Sequence, residues 1–219
     1  MKKIPTLGDI LQAQGVSRRG FMKYCAATAS LLALPPAMVP RIANALEQAR
    51  RPSVIWLSFQ ECTGCTESLT RSSSPTLEGL IFDSISLDYH HTLQAASGDA
   101  AEAARHAAME ENMGQYLVLV DGSIPMGNPG FSTIAGISNY DMLMETVEGA
   151  AAVVAIGSCA AFGGIPGANP NPTGAVSVQD LVKDKPVVNV PGCPPIPMVI
   201  TAVLAQFLTF GQLPELDIH

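Results

Sequence analysis

Two thiols, Cys62 and Cys65, stand in a C-x-x-C within FQECTGCTESL, residues 59–69. Such a pair can shuttle electrons as a dithiol, grip zinc, or hold half of an iron–sulfur cluster. Two more cysteines lie far along the chain: Cys159 in Gly157-Ser158-Cys159 and Cys193 in Pro191-Gly192-Cys193-Pro194-Pro195. Four thiolates suit a 4Fe–4S cluster or a zinc ion. Structural zinc commonly uses two C-x-x-C knuckles; here one knuckle is joined by two lone cysteines, which is closer to a cluster. The plain alternative is that Cys159 and Cys193 are small buried hydrophobes. Glycines crowd all four sites: Gly64, Gly157, Gly163, Gly164 and Gly192. Gly64 is expected to bend the backbone between the first two thiols. Backbone N–H groups in such turns can donate to cluster sulfurs.

The rest of the chain offers little chemistry. His90-His91 and His106 show no ligand spacing with the cysteines and read as surface or satisfied-core groups. Glu61 and Glu67 flank the C-x-x-C and read as solvated acids at a helix start. There is no Ser-His-Asp order, phosphate loop or second carboxylate pair, so no residue is assigned a catalytic role. The pattern is that of an electron-carrying centre.

What must position these thiols is a set of strands. Apolar runs at Val54–Phe59, Leu80–Leu87, Tyr116–Val120, Ala152–Ile156 and Val187–Val190 predict strands. Helical patterns fall at 63–71, 98–112, 139–149, 178–183 and 197–210. The alternation predicts an α/β fold with a flavodoxin-like parallel sheet and helices on both faces. Each cysteine site then sits just past the carboxyl end of a strand. In an open parallel sheet those ends share one edge, where ligands bind. Thiols distant in sequence can converge there. Residues 163–174, GGIPGANPNPTG, read as a long loop.

The 219 residues are 47% hydrophobic and 14% charged, enough for a packed core and against disorder. Charge divides the chain. Residues 1–45 hold six basic side chains against Asp9 alone, whereas residues 46–219 hold 6 basic and 18 acidic. An acidic body argues against nucleic acid as a partner. The basic segment reads as an address. Ser17-Arg18-Arg19-Gly20-Phe21 precedes the short apolar run Ala26–Leu34, and Ala43-Asn44-Ala45 supplies an A-x-A cleavage pattern. That order predicts a twin-arginine signal over residues 1–45, a single domain over 46–219, and a periplasmic location. The run is far shorter than the ~20 residues that span a bilayer. Cys25 falls inside the segment and is expected to leave with it. A bare thiol entering an oxidising compartment tends towards a disulfide, whereas a metal-ligated one does not.

The motifs together resemble the small subunit of a nickel–iron uptake hydrogenase of the membrane-associated periplasmic type. The matching segments are SRRGFMKYC, RPSVIWLSFQECTGCTESL, SLDYHHTLQAASGDAAEAA, LVDGSIP, GSCAAFGGIPGANPNPTGA and VPGCPPIP, in family order. The resemblance implies that Cys62, Cys65, Cys159 and Cys193 ligate a proximal 4Fe–4S cluster. It implies a separate large subunit carrying the nickel–iron centre, and a membrane-bound cytochrome or similar electron acceptor. Family members also hold a 3Fe–4S and a second 4Fe–4S cluster in a C-terminal domain; no cysteine here lies beyond Cys193, so that domain is expected to be absent. Oxygen-tolerant relatives carry two extra cysteines, at positions matching Gly64 and Gly164. Glycine there implies an ordinary four-thiolate cubane and an oxygen-sensitive enzyme. Two rival readings stand beside this one: a periplasmic thioredoxin-like dithiol oxidoreductase and a zinc-stabilised binding module.

Overall fold

The fold was obtained as a computed structural model, which describes residue 15 and residues 17–31, 34–48, 51–73 and 75–210. Parts of the predicted signal segment and residues 211–219 lie outside these. The main strands are β1 (Ser53–Ser58), β2 (Ser86–His90), β3 (Leu117–Asp121), β4 (Ala152–Ile156) and β5 (Val187–Val190). The longer helices are α1 (Arg18–Leu31), α2 (Val39–Gln48), α3 (Gly64–Thr70), α4 (Asp99–Glu111), α5 (Asn139–Glu148), α6 (Gly157–Phe162) and α7 (Pro197–Phe210). Two compact units result. One comprises residues 53–69 and 87–196; the other comprises residues 1–52, 70–86 and 197–219.

The first unit is built on a five-stranded sheet of order β2-β1-β3-β4-β5, the flavodoxin-like order. The pairings β1–β3, β3–β4 and β4–β5 are parallel. β3 (LVLVD) and β4 (AVVAI) are buried along their whole length, because continuous β-branched and aliphatic runs fit a sheet covered on both faces. Ile55, Leu57, Val118, Val120, Val153 and Ala155 belong to one core cluster. Burying each of these Ile, Leu and Val side chains contributes about 1.5–3 kcal/mol. α4 starts with Asp99 and Glu102 in its first turn, where acids complement the helix dipole, and buries Ala101 and Ala108.

The second unit holds α1, α2 and α7. Phe21, Cys25, Ala29, Ile42 and Ala43 form its own apolar cluster. Arg18 and Arg19 open α1, and Ser17 Oγ accepts from Gly20 N at 3.1 Å. Ala43-Asn44-Ala45 lies within α2. No helix among the described residues is long and apolar enough to cross a membrane.

One predicted strand is corrected. Leu80–Ser84 forms a π-helical turn, and the strand occupies Ser86–His90 instead. Thr76 Oγ1 caps the preceding turn by accepting from Gly79 N at 3.2 Å. Arg51 donates to the carbonyls of Ile81 and Ile85 at 2.9 and 2.8 Å, satisfying the turn's far end. A short apolar run does not by itself distinguish a strand from a buried helical turn, and here the caps decide. Within the predicted loop 163–174, Gly164–Gly167 makes a short helical turn.

Candidate metal centre

Register places the four parallel strands' carboxyl ends in one row. Ser58 is paired with Asp121, Asp121 with Ile156, and Ile156 with Val190. The chain leaves that row three times with a cysteine. After β1 come Cys62 and then Cys65 in the first turn of α3; after β4 comes Cys159 in α6; after β5 comes Cys193. All four line one pocket together with Glu61. All are free thiols; Cys62 and Cys193 are exposed, Cys65 and Cys159 half-buried. Among the described residues no three His, Cys, Asp or Glu side chains converge closely enough to chelate one metal ion. The four thiols line a common space.

Glycine makes that space. A Cβ on Gly157 would stand 2.4 Å from Cys65 Sγ, and one on Gly164 would stand 2.6 Å from Cys159 Sγ. Both glycines also have positive φ, 85° and 58°, which disfavours any side chain. Gly64 differs from expectation. The left-handed residue between the first two thiols is Thr63, at φ 67°, and not Gly64. What Gly64 does is leave room beside Cys62, whose Sγ lies 3.2 Å from where its Cβ would be.

Acids and burial disfavour thiolates here in the absence of a cation. Burial, then the charges of Asp121, Glu61, Cys159 and Cys62, push the Cys65 thiol up to about 12. Cys159 is also raised, chiefly by burial and despite a backbone hydrogen bond from Ile165. Burial and Asp121 raise Glu61 to about 7. Ligation requires thiolates, so loading a metal must displace protons from this pocket.

Behind Cys65 runs a buried polar chain. His90, Thr66 and Asp121 are all essentially inaccessible. Thr92 N donates to His90 Nδ1 at 3.3 Å, which assigns the imidazole proton to Nε2. His90 Nε2–H then donates to Thr66 Oγ1, and Thr66 O–H donates to Asp121 Oδ2, both at 3.3 Å. Burial raises Asp121 to about 6 and lowers His90 to about 4. Trp56 and Ser58 pull the Asp121 carboxyl partly back down, yet neither closes to a full hydrogen bond, and Oδ1 has no partner among the described residues. Threonine, histidine and aspartate are not arranged as a nucleophilic triad: the acid bonds the hydroxyl rather than the imidazole.

The structure thus brings the four sequence-predicted cysteines to one pocket. Glu61 belongs to that pocket, not to bulk solvent, while Glu67 is exposed at the start of α3. His90 is a satisfied core histidine and His106 sits on α4, both away from the thiols' pocket. Sequence reasoning missed Asp121, Thr66, Ser68 and Ser158. Asp121 carried one signal, an acid closing the apolar run LVLVD at a strand's carboxyl end. The hydroxyls carried none.

Comparison with known proteins follows the same geometry. The family described as "NADH ubiquinone oxidoreductase, 20 Kd subunit" matches residues 62–207, beginning at the first of the four thiols. The "Hydrogenase-2 small chain" of Escherichia coli (strain K12) is 46% identical over 209 residues, covering 95% of this chain and 56% of that protein. The "Uptake hydrogenase small subunit" of Azotobacter vinelandii is 45% identical over 218 residues, covering 99% of this chain and 61% of its own length. The chain therefore spans somewhat over half the length of these curated relatives. Among solved structures, a reduced, active nickel–iron–selenium hydrogenase from Desulfomicrobium baculatum superposes with a TM-score of 0.74 at 33% identity, over 77% of this chain and 68% of that one.

Proposed function

This chain belongs to the NADH ubiquinone oxidoreductase 20 Kd subunit family, as a small subunit of the nickel–iron hydrogenase kind, and on that premise we propose that it carries electrons for a hydrogenase. Cys62, Cys65, Cys159 and Cys193 would hold a 4Fe–4S cluster. When bound, the cluster supplies a site that gains and loses one electron at a time. The chain's own residues place four thiols around one pocket, clear it of side chains at Gly157 and Gly164, and set its charge through Glu61 and Asp121. The observation that carries this reading is the shared row of strand ends, Ser58, Asp121, Ile156 and Val190, from which all four thiols depart.

The rival readings fare worse. A dithiol reductase uses two thiols and leaves Cys159 and Cys193, which line the same pocket, without a role. A zinc site would take the same four thiols, but structural zinc usually draws them from two C-x-x-C knuckles, and here one knuckle is joined by two lone cysteines. Catalysis of hydrogen oxidation would belong to a separate large subunit with a nickel–iron centre. Phe162, Ile165 and Ile196, three to six residues beyond Cys159 and Cys193, are 66%, 79% and 66% exposed, an apolar rim suited to such a partner. Export by the twin-arginine route from residues 1–45, a periplasmic location and a membrane cytochrome as acceptor complete the proposal. With glycine at 64 and 164, the cluster would be an ordinary cubane and the enzyme oxygen-sensitive.

Anaerobic purification with iron, acid-labile sulfide and zinc analysis tests the centre. Equal iron and sulfide, with broad visible absorbance, is the expected result. Zinc without sulfide, or a metal-free chain with two freely titrating thiols, overturns it.

A further inference from the structure

The three thiol-bearing segments are tied to one another by hydroxyls that ligate nothing. Ser68 sits three residues past Cys65 in α3, buried, and its Oγ donates to the carbonyl of Pro195 at 2.6 Å, 127 residues away. A serine inside a helix more often bonds its own preceding turn; this one reaches the segment that carries Cys193. Pro194 and Pro195 have no N–H, so the Cys193 loop has few bonds of its own with which to hold shape. Ser158 makes the second tie. Its N–H donates to Gly192 O at 2.7 Å, and its Oγ accepts from Gly192 N at 3.3 Å. Both polar groups of Gly192, the residue before Cys193, are thereby satisfied by the residue before Cys159. A third tie, Cys65 Sγ to Ile156 O at 3.8 Å, needs the thiol proton. It is lost once Cys65 becomes a thiolate ligand, while the serine ties persist.

We propose that Ser68 and Ser158 are positioning residues that latch the Cys65 helix, the Cys193 loop and the Cys159 helix into a preformed cradle. The proposal rests on the cluster reading above for what the cradle holds, but the latching itself is a property of the protein alone. Neither serine is among the four thiol ligands proposed above, although Ser158 lines the same pocket. Their work is to keep four sulfurs from separating in the interval before loading and to resist their separation afterwards.

The test uses the full-length protein, loaded anaerobically, with Ser68→Ala, Ser68→Thr and Ser158→Ala. Removing a buried donor strands the Pro195 carbonyl, so Ser68→Ala should lose iron to a chelator roughly tenfold faster than the parent. The electron paramagnetic resonance signal of its reduced cluster should broaden, and Ser68→Thr, which keeps the hydroxyl, should restore both. Ser158→Ala, at a half-buried position, should accelerate iron loss less, because its backbone N–H still holds Gly192. Parent-like iron loss and an unchanged signal in both alanine variants overturn the latch. A parent that binds neither iron nor sulfide instead defeats the cluster reading. In that event, alkylation of Cys65 in the metal-free protein decides the latch: roughly tenfold faster in Ser68→Ala supports it, and an unchanged rate overturns it. If Ser68→Ala fails to fold by circular dichroism, the same measurements on Ser158→Ala decide, with a parent-like result overturning the proposal.

Discussion

Two polar clusters inside the same sheet-bearing unit are built to opposite standards. Around Arg105, which is fully buried, every hydrogen bond closes. Its guanidinium donates to Glu102 Oε2 at 3.0 Å, Thr146 Oγ1 at 2.8 Å and Glu145 Oε2 at 2.7 Å. Thr146 passes its own proton to Met142 O at 2.6 Å, and Tyr89 O–H donates to Glu102 Oε1 at 2.8 Å. Burial alone would raise Glu145, but Arg105's hydrogen bond and charge hold it below its ordinary value. At the thiol edge the reverse holds. Glu61 and Asp121 are both raised, each with one oxygen lacking a partner among the described residues, and Cys65 is raised with them. A cluster that only holds α4 to α5 can be satisfied completely. One proposed to hold a metal cluster keeps acids and thiols whose charge the protein's own groups do not compensate. Unsatisfied polar groups concentrate where function does.

The largest test of this contrast removes a proposed ligand. Cys159→Ser should abolish retention of the cluster's iron while leaving the sheet intact by circular dichroism, since Cys159 sits in α6 outside the strand row. A variant retaining parental iron and sulfide would show that Cys159 is only a buried hydrophobe. A smaller effect is expected from Gly164→Ala. The new methyl would stand 2.6 Å from Cys159 Sγ on a backbone at φ 58°, so the thiol must move. Iron occupancy should fall several-fold, read by iron per chain after identical anaerobic loading; full occupancy would remove Gly164 from the site.

The satisfied cluster breaks differently. Arg105→Met leaves Glu102 and Thr146 without their buried partner and should cost about 3–5 kcal/mol of stability. Urea unfolding measures it. Iron per folded chain should not change. A coupled loss of iron would mean that the two regions are one.

How much of this was legible beforehand follows the same division. The cysteines announced themselves because their chemistry is rare and their positions follow strands that read clearly as continuous apolar runs. β3, β4 and β5 lay within a residue of expectation. Leu80–Leu87 misled because an apolar run is silent on whether caps at Thr76 and Arg51 will curl it. Gly64 was credited with a turn that Thr63 makes, since φ is set by the whole loop and not by the most permissive residue in it. Arg105 was invisible as a buried cation: on sequence it is one charge among the acids of α4. Ser68 and Ser158 were invisible too, because a hydroxyl becomes informative only when its partner, here 127 or 34 residues away, is in place.

The smallest test concerns where one proton sits. Asp121 is raised to about 6 in the fold, so the stability it contributes is full below its unfolded value of about 3.9 and is lost as pH rises through 6. His90 is lowered to about 4, so its contribution is full above about 6.5 and is lost as pH falls through 4. Between those values the two slopes oppose. Unfolded, the pair holds its proton on the histidine; folded, it holds it on the aspartate, bridged by Thr66. Folding thus moves a proton between them and neither takes one up nor releases one. Asp121→Asn removes one half of the exchange. In the metal-free protein its unfolding free energy should rise with pH relative to the parent, by up to about 1.4 kcal/mol per pH unit between about pH 4 and 6. His90→Gln should tilt the other way. Glu61, half exposed and raised to about 7 by burial and by the Asp121 charge, also lowers stability as pH rises; Asp121→Asn weakens that shift too and so adds to the same tilt, whereas His90→Gln leaves it in place. Parallel curves for parent and Asp121→Asn would mean that Asp121 is ionised throughout. The thiol edge would then be no less satisfied than the cluster around Arg105.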